Sequence, residues 1–191
     1  MYYDTQRKLA FVLPPRTGTT TFSILLRDWG ATKVEGIHPK PDEAQIENFN
    51  EYKVYGFFRN PLDRFLSLLR YIREGKIIAK NFYANSGITR SKFSTFTYDQ
   101  MIDAFPKYQP LIPKFFDPQV AWLANAETMD FNNYTTEILR VARMFEVTQV
   151  NLAVNNWTDS GAESPSQRVI DYVQSTYADD YQFGRERGLL A

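Results

Sequence analysis

Apolar residues in this chain fall into short continuous runs, and these runs alternate with stretches of helical spacing. The first run, Leu9 to Leu13, is closed by Pro14 and Pro15 and predicts a buried strand that ends in a loop. A helix is expected at once, because Phe22, Ile24, Leu25, Leu26 and Trp29 gather on one side and Gly30 is placed to end it. Thr32 to Ile37 predicts a second strand, Asp42 to Phe49 has a helix-like pattern, and Val54 to Phe58 reads as a buried strand. The clearest helix start is Asn60-Pro61-Leu62-Asp63: Asn60 suits the cap, Pro61 the first turn, and Asp63 the positive helix end. Gly75 closes that helix. Its expected buried stripe is Leu62, Phe65, Leu66, Leu69 and Ile72, which leaves Arg64, Ser67 and Arg70 elsewhere. Capping boxes pair Thr97 with Gln100 and Ser164 with Gln167, the second with Pro165 at the first helical position, and a further helix covers Tyr134 to Phe145. Lys76 to Ser94 is polar and weakly periodic, the pattern of a mobile loop. Strands alternating with helices predict a single α/β domain over residues 1–191, with a mainly parallel sheet flanked by helices.

Composition narrows the chemistry. Twenty-two basic residues balance twenty-two acidic ones, so no global field draws the chain to nucleic acid or to an anionic membrane, and any anion site must be local. Without cysteine there is no disulfide, zinc-thiolate site or thiol nucleophile, and one histidine excludes a His-rich metal centre. The opening Met-Tyr-Tyr-Asp-Thr-Gln-Arg-Lys lacks the apolar core of a signal peptide, and no stretch is long enough to span a bilayer. The expectation is a soluble, cytoplasmic protein with no nucleic-acid partner and no membrane insertion.

Between the first strand and first helix lies Pro14-Pro15-Arg16-Thr17-Gly18-Thr19-Thr20-Thr21. At such a corner, free backbone N–H groups and the helix dipole favour an anion. Gly18 permits close backbone approach, the threonines add hydroxyl donors, and Arg16 adds a fixed positive charge. The alternative is an ordinary strand-turn-helix corner with a threonine cap. A Walker A loop would need Gly-x-x-x-x-Gly-Lys-Ser/Thr, and neither the lysine nor the earlier glycine is present.

From Pro15 through Thr20 the run resembles the 5′-phosphosulfate loop of sulfotransferases, commonly Pro-Lys-Ser/Thr-Gly-Thr-Thr, with Arg16 in place of the lysine. A second stretch, Arg59-Asn60-Pro61-Leu62-Asp63-Arg64-Phe65-Leu66-Ser67, follows a strand and is similar to the 3′-phosphate motif of the same family. The resemblance implies a P-loop-like α/β fold and the donor 3′-phosphoadenosine 5′-phosphosulfate. It assigns Arg16, Thr17, Gly18, Thr19, Thr20 and Thr21 to the 5′ side of that donor, and Arg59 and Ser67 to its 3′-phosphate. Arg59 at a strand end also stands where open α/β sheets bind ligands. Arg64 reads either as a solvated surface charge or as a ligand contact.

His38, in Gly36-Ile37-His38-Pro39, resembles the catalytic histidine that carbohydrate sulfotransferases and other family members place after the second strand. The resemblance makes His38 the base and Arg16 the cation at the departing phosphate, with Glu35, Asp42 and Glu43 as the next candidates for the base. A lone histidine is otherwise most often structural. Weaker landmarks are Phe116-Asp117-Pro118-Gln119 ahead of Trp122, Asn151-Leu152, and Tyr177-Ala178-Asp179-Asp180-Tyr181. Gln119 is carried as an acceptor or donor contact, Tyr177 and Tyr181 as packing, and Trp157 as either a base-stacking residue or a buried anchor.

The implied reaction is sulfuryl transfer to a hydroxyl or amine of a small-molecule or carbohydrate acceptor. Two other readings stand beside it: a nucleotide or small-molecule kinase, which needs a triphosphate and magnesium, and a non-catalytic nucleotide-binding module. Tyr83, Phe93, Phe96, Tyr108 and Phe115 are candidates for an acceptor cleft, though most belong in a core.

Overall fold

The computed structural model describes residues 1–77, 82–151 and 163–191. Leu152 and Trp157, both singled out above, lie outside the described residues. A five-stranded mixed sheet has the order β3-β1-β2-β4-β5, from β1 (Tyr2–Asp4), β2 (Leu9–Val12), β3 (Thr32–Lys33), β4 (Lys53–Phe58) and β5 (Glu127–Asp130). β2 pairs parallel with β4, and β4 with β5, while β1 runs antiparallel to both β2 and β3. The expectation of a mainly parallel sheet is therefore corrected to a mixed one. The reason is a hairpin that the polar opening sequence conceals: Asp4 accepts from the Arg7 backbone N–H at 2.9 Å and pairs with its guanidinium at 2.9 Å, folding β1 back onto β2.

The helices are α1 (Thr19–Asp28), α2 (Pro61–Arg73), α3 (Phe82–Ser86), α4 (Arg90–Ser94), α5 (Tyr98–Asp103), α6 (Phe105–Tyr108), α7 (Pro113–Phe116), α8 (Val120–Leu123), α9 (Tyr134–Met144), α10 (Gln167–Thr176) and α11 (Ala178–Glu186). On one sheet face, Phe11, Tyr55 and Phe57 pack with Phe22, Leu25 and Leu26 of α1 and Ile138 and Val141 of α9. On the other, Val12 and Phe58 meet Trp122 and Leu123 of α8 and Phe183 of α11. Alternation along β4 sends Phe57 to the first face and Phe58 to the second, as strand pleating requires. A separate aromatic core, with Phe65, Phe82, Phe93, Tyr98 and Tyr108, joins α2 to the short helices α3 to α6.

Local signals account for much of this. Asn60 caps α2 by accepting from Leu62 N at 2.9 Å and Asp63 N at 3.4 Å, with Pro61 as the first helical residue. Thr97 and Gln100 form the reciprocal capping box of α5.

Several expectations change. Thr32 to Ile37 is strand only at Thr32–Lys33, both exposed, because only Tyr2 and Tyr3 offer it a partner edge, and Gly36 then turns the chain with φ 103°. Asp42 to Phe49 forms no α-helix; 3-10 turns at Pro41–Glu43 and Phe49–Glu51 flank it, and Asn48 is left-handed with φ 54°. The cap of α10 is Ser166, which accepts from Val169 N at 3.3 Å, so the helix starts two residues later than Pro165 suggests. Lys76 to Ser94 contains α3 and α4, held by buried Phe82 and Phe93. On α2 the buried side includes Leu68 and also Arg64, while Leu62 and Leu66 are half-buried.

Candidate functional site

The loop between β2 and α1 is held by backbone as much as by side chains. Thr17, almost fully buried, donates its hydroxyl to Pro14 O at 2.8 Å, so that hydroxyl is committed to the loop itself. Arg16 and Gly18 are both left-handed, with φ 67° and 73°. For Arg16 this conformation is strained, a cost of order 1–2 kcal/mol that the surrounding bonds must offset. Gly18 is required twice over, because a Cβ there would lie 2.5 Å from the Tyr134 ring, whose hydroxyl donates to Gly18 O at 2.8 Å.

Phe22 N is bonded to Gly18 O at 3.2 Å, and the N–H groups of Thr19, Thr20 and Thr21 precede it in the first turn, where a helix offers no carbonyl. Thr19 and Thr20 line a cavity with Arg16; Thr21 is half-buried and does not line it.

Arginines fasten this loop to α2 and β4. Arg16 donates from Nε and Nη2 to Ser67 Oγ, at 3.2 and 3.0 Å, and stacks 4.5 Å from the Tyr71 ring centre. Arg59 donates from Nη1 to Arg16 O at 3.1 Å and lies 4.7 Å over Phe131. The Arg59 backbone is clamped by fully buried Gln119, which accepts from Arg59 N at 3.0 Å and donates to Arg59 O at 2.8 Å. Gln119 thus holds the end of β4 in position.

Arg64 is 3% exposed, which excludes the surface-charge reading. Its Nε donates to Pro15 O at 3.0 Å, its Nη2 to Phe115 O at 3.1 Å and Asp117 O at 2.9 Å, and Nη1 lies 3.8 Å from Asp180. Asp180 in turn accepts from Gln119 N and Val120 N, each at 2.9 Å. Burial nevertheless raises the Asp180 carboxyl above its usual range, against the opposing pull of those N–H groups and Arg64.

The electrostatics point to an anion. Burial pulls the Arg59 guanidinium down to about 10, with Asp63 opposing and Arg16, Arg70 and Arg64 adding repulsion. Arg16 is lowered for the same leading reason. Both remain cationic at neutral pH. Among the described residues neither forms an ion pair with a carboxylate; the partially desolvated guanidinium of Arg16 is held by Ser67 Oγ and that of Arg59 by Arg16 O, both neutral acceptors.

His38 lines the same cavity. Its φ of 46° swings the ring back to the end of β2, where Nδ1 meets Leu13 O at 2.8 Å. A carbonyl only accepts, so Nδ1 carries the hydrogen and Nε2 of the neutral ring keeps its lone pair. Burial lowers the His38 pKa below its ordinary value, opposed in part by the bond to Leu13, and keeps the ring neutral at pH 7. Its backbone O accepts from Trp122 Nε1 at 3.3 Å, and its ring meets Phe115 edge-on at 5.3 Å. Glu35, Asp42 and Glu43 do not line the cavity, and Glu43 pairs with Lys114.

The cavity, of about 880 Å³, therefore brings together Arg16, Thr19, Thr20 and His38. Arg59 and Ser67 do not line it but hold Arg16 from behind, through its carbonyl and its guanidinium respectively. Sequence reasoning passed over Tyr71, Phe131 and Tyr134. Only Tyr71 carried a signal: with Arg64 and Ser67 it repeats at helical spacing along one face of α2. Tyr177 donates to Phe116 O at 2.9 Å and is packing, as expected. Among the described residues no helix is long and apolar enough to cross a membrane.

No protein-family model, curated protein or solved structure matches this chain.

Proposed function

We propose that the chain is a sulfotransferase that moves a sulfuryl group from 3′-phosphoadenosine 5′-phosphosulfate to a hydroxyl or amine. The observation that carries the reading is the shared cavity, whose lining includes Arg16, Thr19 and Thr20 together with a neutral histidine. The residues suit a doubly phosphorylated donor. Open N–H groups at the start of α1, with Arg16 and the threonine hydroxyls, match its 5′ phosphosulfate, while Arg59 and Ser67 match its 3′-phosphate as the motif implies. Ser67 accepts from Arg16 and retains its own O–H as a donor.

The donor supplies an activated sulfuryl group on a phosphate leaving group. His38 Nε2 takes the acceptor proton while the acceptor atom bonds to sulfur and the bond from sulfur to the phosphate oxygen breaks. Arg16 and the loop N–H groups stabilise the charge left on that phosphate.

Calorimetric titration with adenosine 3′,5′-bisphosphate, beside 5′-AMP and ATP with magnesium, tests the reading. Bisphosphate binding that disappears in Arg59→Ala is expected. Magnesium-dependent ATP binding without bisphosphate binding would turn the assignment to a kinase. Bisphosphate binding without turnover on any acceptor would leave a non-catalytic module.

A further inference from the structure

Away from the loop, the cavity lining includes Tyr71, Ile77, Leu111, Ile112 and Phe115, with the cations Lys33 and Lys114 beside them. The Tyr71 and Phe115 rings are nearly parallel, 15° apart in plane with centres 6.5 Å apart. Arg16 covers Tyr71 at 4.5 Å, and His38 meets Phe115 at 5.3 Å. An aromatic pair thus runs along the wall from the guanidinium to the imidazole.

The polar groups of this lining are as informative as the apolar ones. Among the described residues that line the cavity, none carries a carboxylate or a carboxamide, and Arg16, Lys33 and Lys114 only donate, which leaves hydroxyls and the His38 ring as the side-chain acceptors for a sugar's O–H groups. A sugar brings several hydroxyls, and each one taken from water without a partner costs roughly tenfold or more in affinity. An aromatic ring needs no such partners and gains from contact with other rings.

We infer that the acceptor is an aryl alcohol, with its ring against Tyr71 and Phe115 and its single hydroxyl delivered to His38. The inference rests on the sulfotransferase reading for its reaction, though the cavity's preference can be measured by binding alone. Base strength agrees with it. A histidine held below its ordinary pKa is a weak base, and a phenolic hydroxyl, with a pKa of about 10, is the more acidic kind of alcohol. The phenolic proton passes to His38 Nε2, the phenolic oxygen bonds to sulfur, and the bisphosphate leaves with the electrons of the broken bond.

The test is saturation-transfer NMR on the whole chain with 2-naphthol, N-acetylglucosamine and glucuronic acid, with and without adenosine 3′,5′-bisphosphate. Saturable binding of 2-naphthol, no binding of either sugar, and labelled sulfuryl transfer to 2-naphthol are expected. Leu111→Gln, and independently Ile37→Asn on an exposed part of the lining, should each weaken 2-naphthol about tenfold while bisphosphate binding stays unchanged. Sugar binding in preference to 2-naphthol, or 2-naphthol binding indifferent to both substitutions, overturns the acceptor class. If the bisphosphate binds in that case, the donor reading survives. Binding of 2-naphthol with no bisphosphate binding overturns the donor reading, and the acceptor assignment with it.

Discussion

Arg16 and Ser67, fifty-one positions apart, are joined by paired hydrogen bonds of 3.2 and 3.0 Å from one guanidinium edge to one hydroxyl. This contact ties the loop after β2 to the middle of α2, so the segments that resemble the 5′ and 3′ donor motifs are mechanically one unit. It also keeps a strained, left-handed Arg16 in place.

Ser67→Ala should release the Arg16 side chain with little loss of stability, about 1 kcal/mol for the hydrogen bonding removed. Bisphosphate affinity should fall about tenfold, since both a donor and the orientation of Arg16 are lost. Calorimetry read beside thermal unfolding checks this; unchanged affinity counts against a shared site.

Arg64 is a positioning residue, because it bonds the loop at Pro15 and the Phe115–Asp117 segment beside His38 at once. Arg64→Met leaves those carbonyls and Asp180 without their cation and should destabilise the fold by about 3–5 kcal/mol. Adding Asp180→Asn should cost less than its own separate effect, because the unpaired charge is then gone. Urea unfolding of the two single variants and the double variant measures the coupling.

Gly18→Ala should destabilise by about 1–3 kcal/mol, from a positive φ and from a Cβ 2.5 Å from the Tyr134 ring. Tyr134→Leu in the same chain relieves the clash but not the backbone strain, so recovery should be partial. Full recovery would show that crowding alone explains the glycine.

His38 sets a pH dependence whose sign follows from burial. Its folded pKa is lowered, so below about 6.5 the unfolded chain binds a proton that the folded chain resists. Its contribution is therefore intact above that value and is lost as pH falls through the window down to the lowered folded pKa. His38→Gln should flatten this limb of the stability profile. Under the proposed mechanism kcat/KM should fall on acidification with an apparent pKa below about 6.5, and His38→Ala should reduce turnover roughly 10² to 10⁴-fold while sparing bisphosphate binding.

Much of the architecture was legible in residue order. The Asn60-Pro61 start of α2, the Thr97 and Gln100 box of α5, and the runs that became β2 and β4 all depend on neighbours within a few positions. The β1 hairpin was not legible, since Tyr2–Asp4 is short and its burial comes from β2 and β3 rather than from its own pattern. Arg64 stayed open between a surface charge and a ligand contact for a related reason. Helical spacing gives a side chain's direction but not what waits there, and what waits is a set of backbone carbonyls from distant loops.

Residue order alone carried the corner after β2, a strand closed by prolines and followed at once by a helix, because backbone geometry and capping are local physics. It also put Arg16, Arg59 and His38 in or beside loops that follow apolar runs, and Ser67 within the helix that Asn60 starts. Packing between distant elements is what makes Ser67 and Arg59 grip Arg16, spends His38 Nδ1 on Leu13, and sets Tyr71 and Phe115 side by side along the cavity. Those outcomes depend on which elements pack together, and burial, which keeps His38 neutral and lowers the Arg59 pKa, exists only once they do.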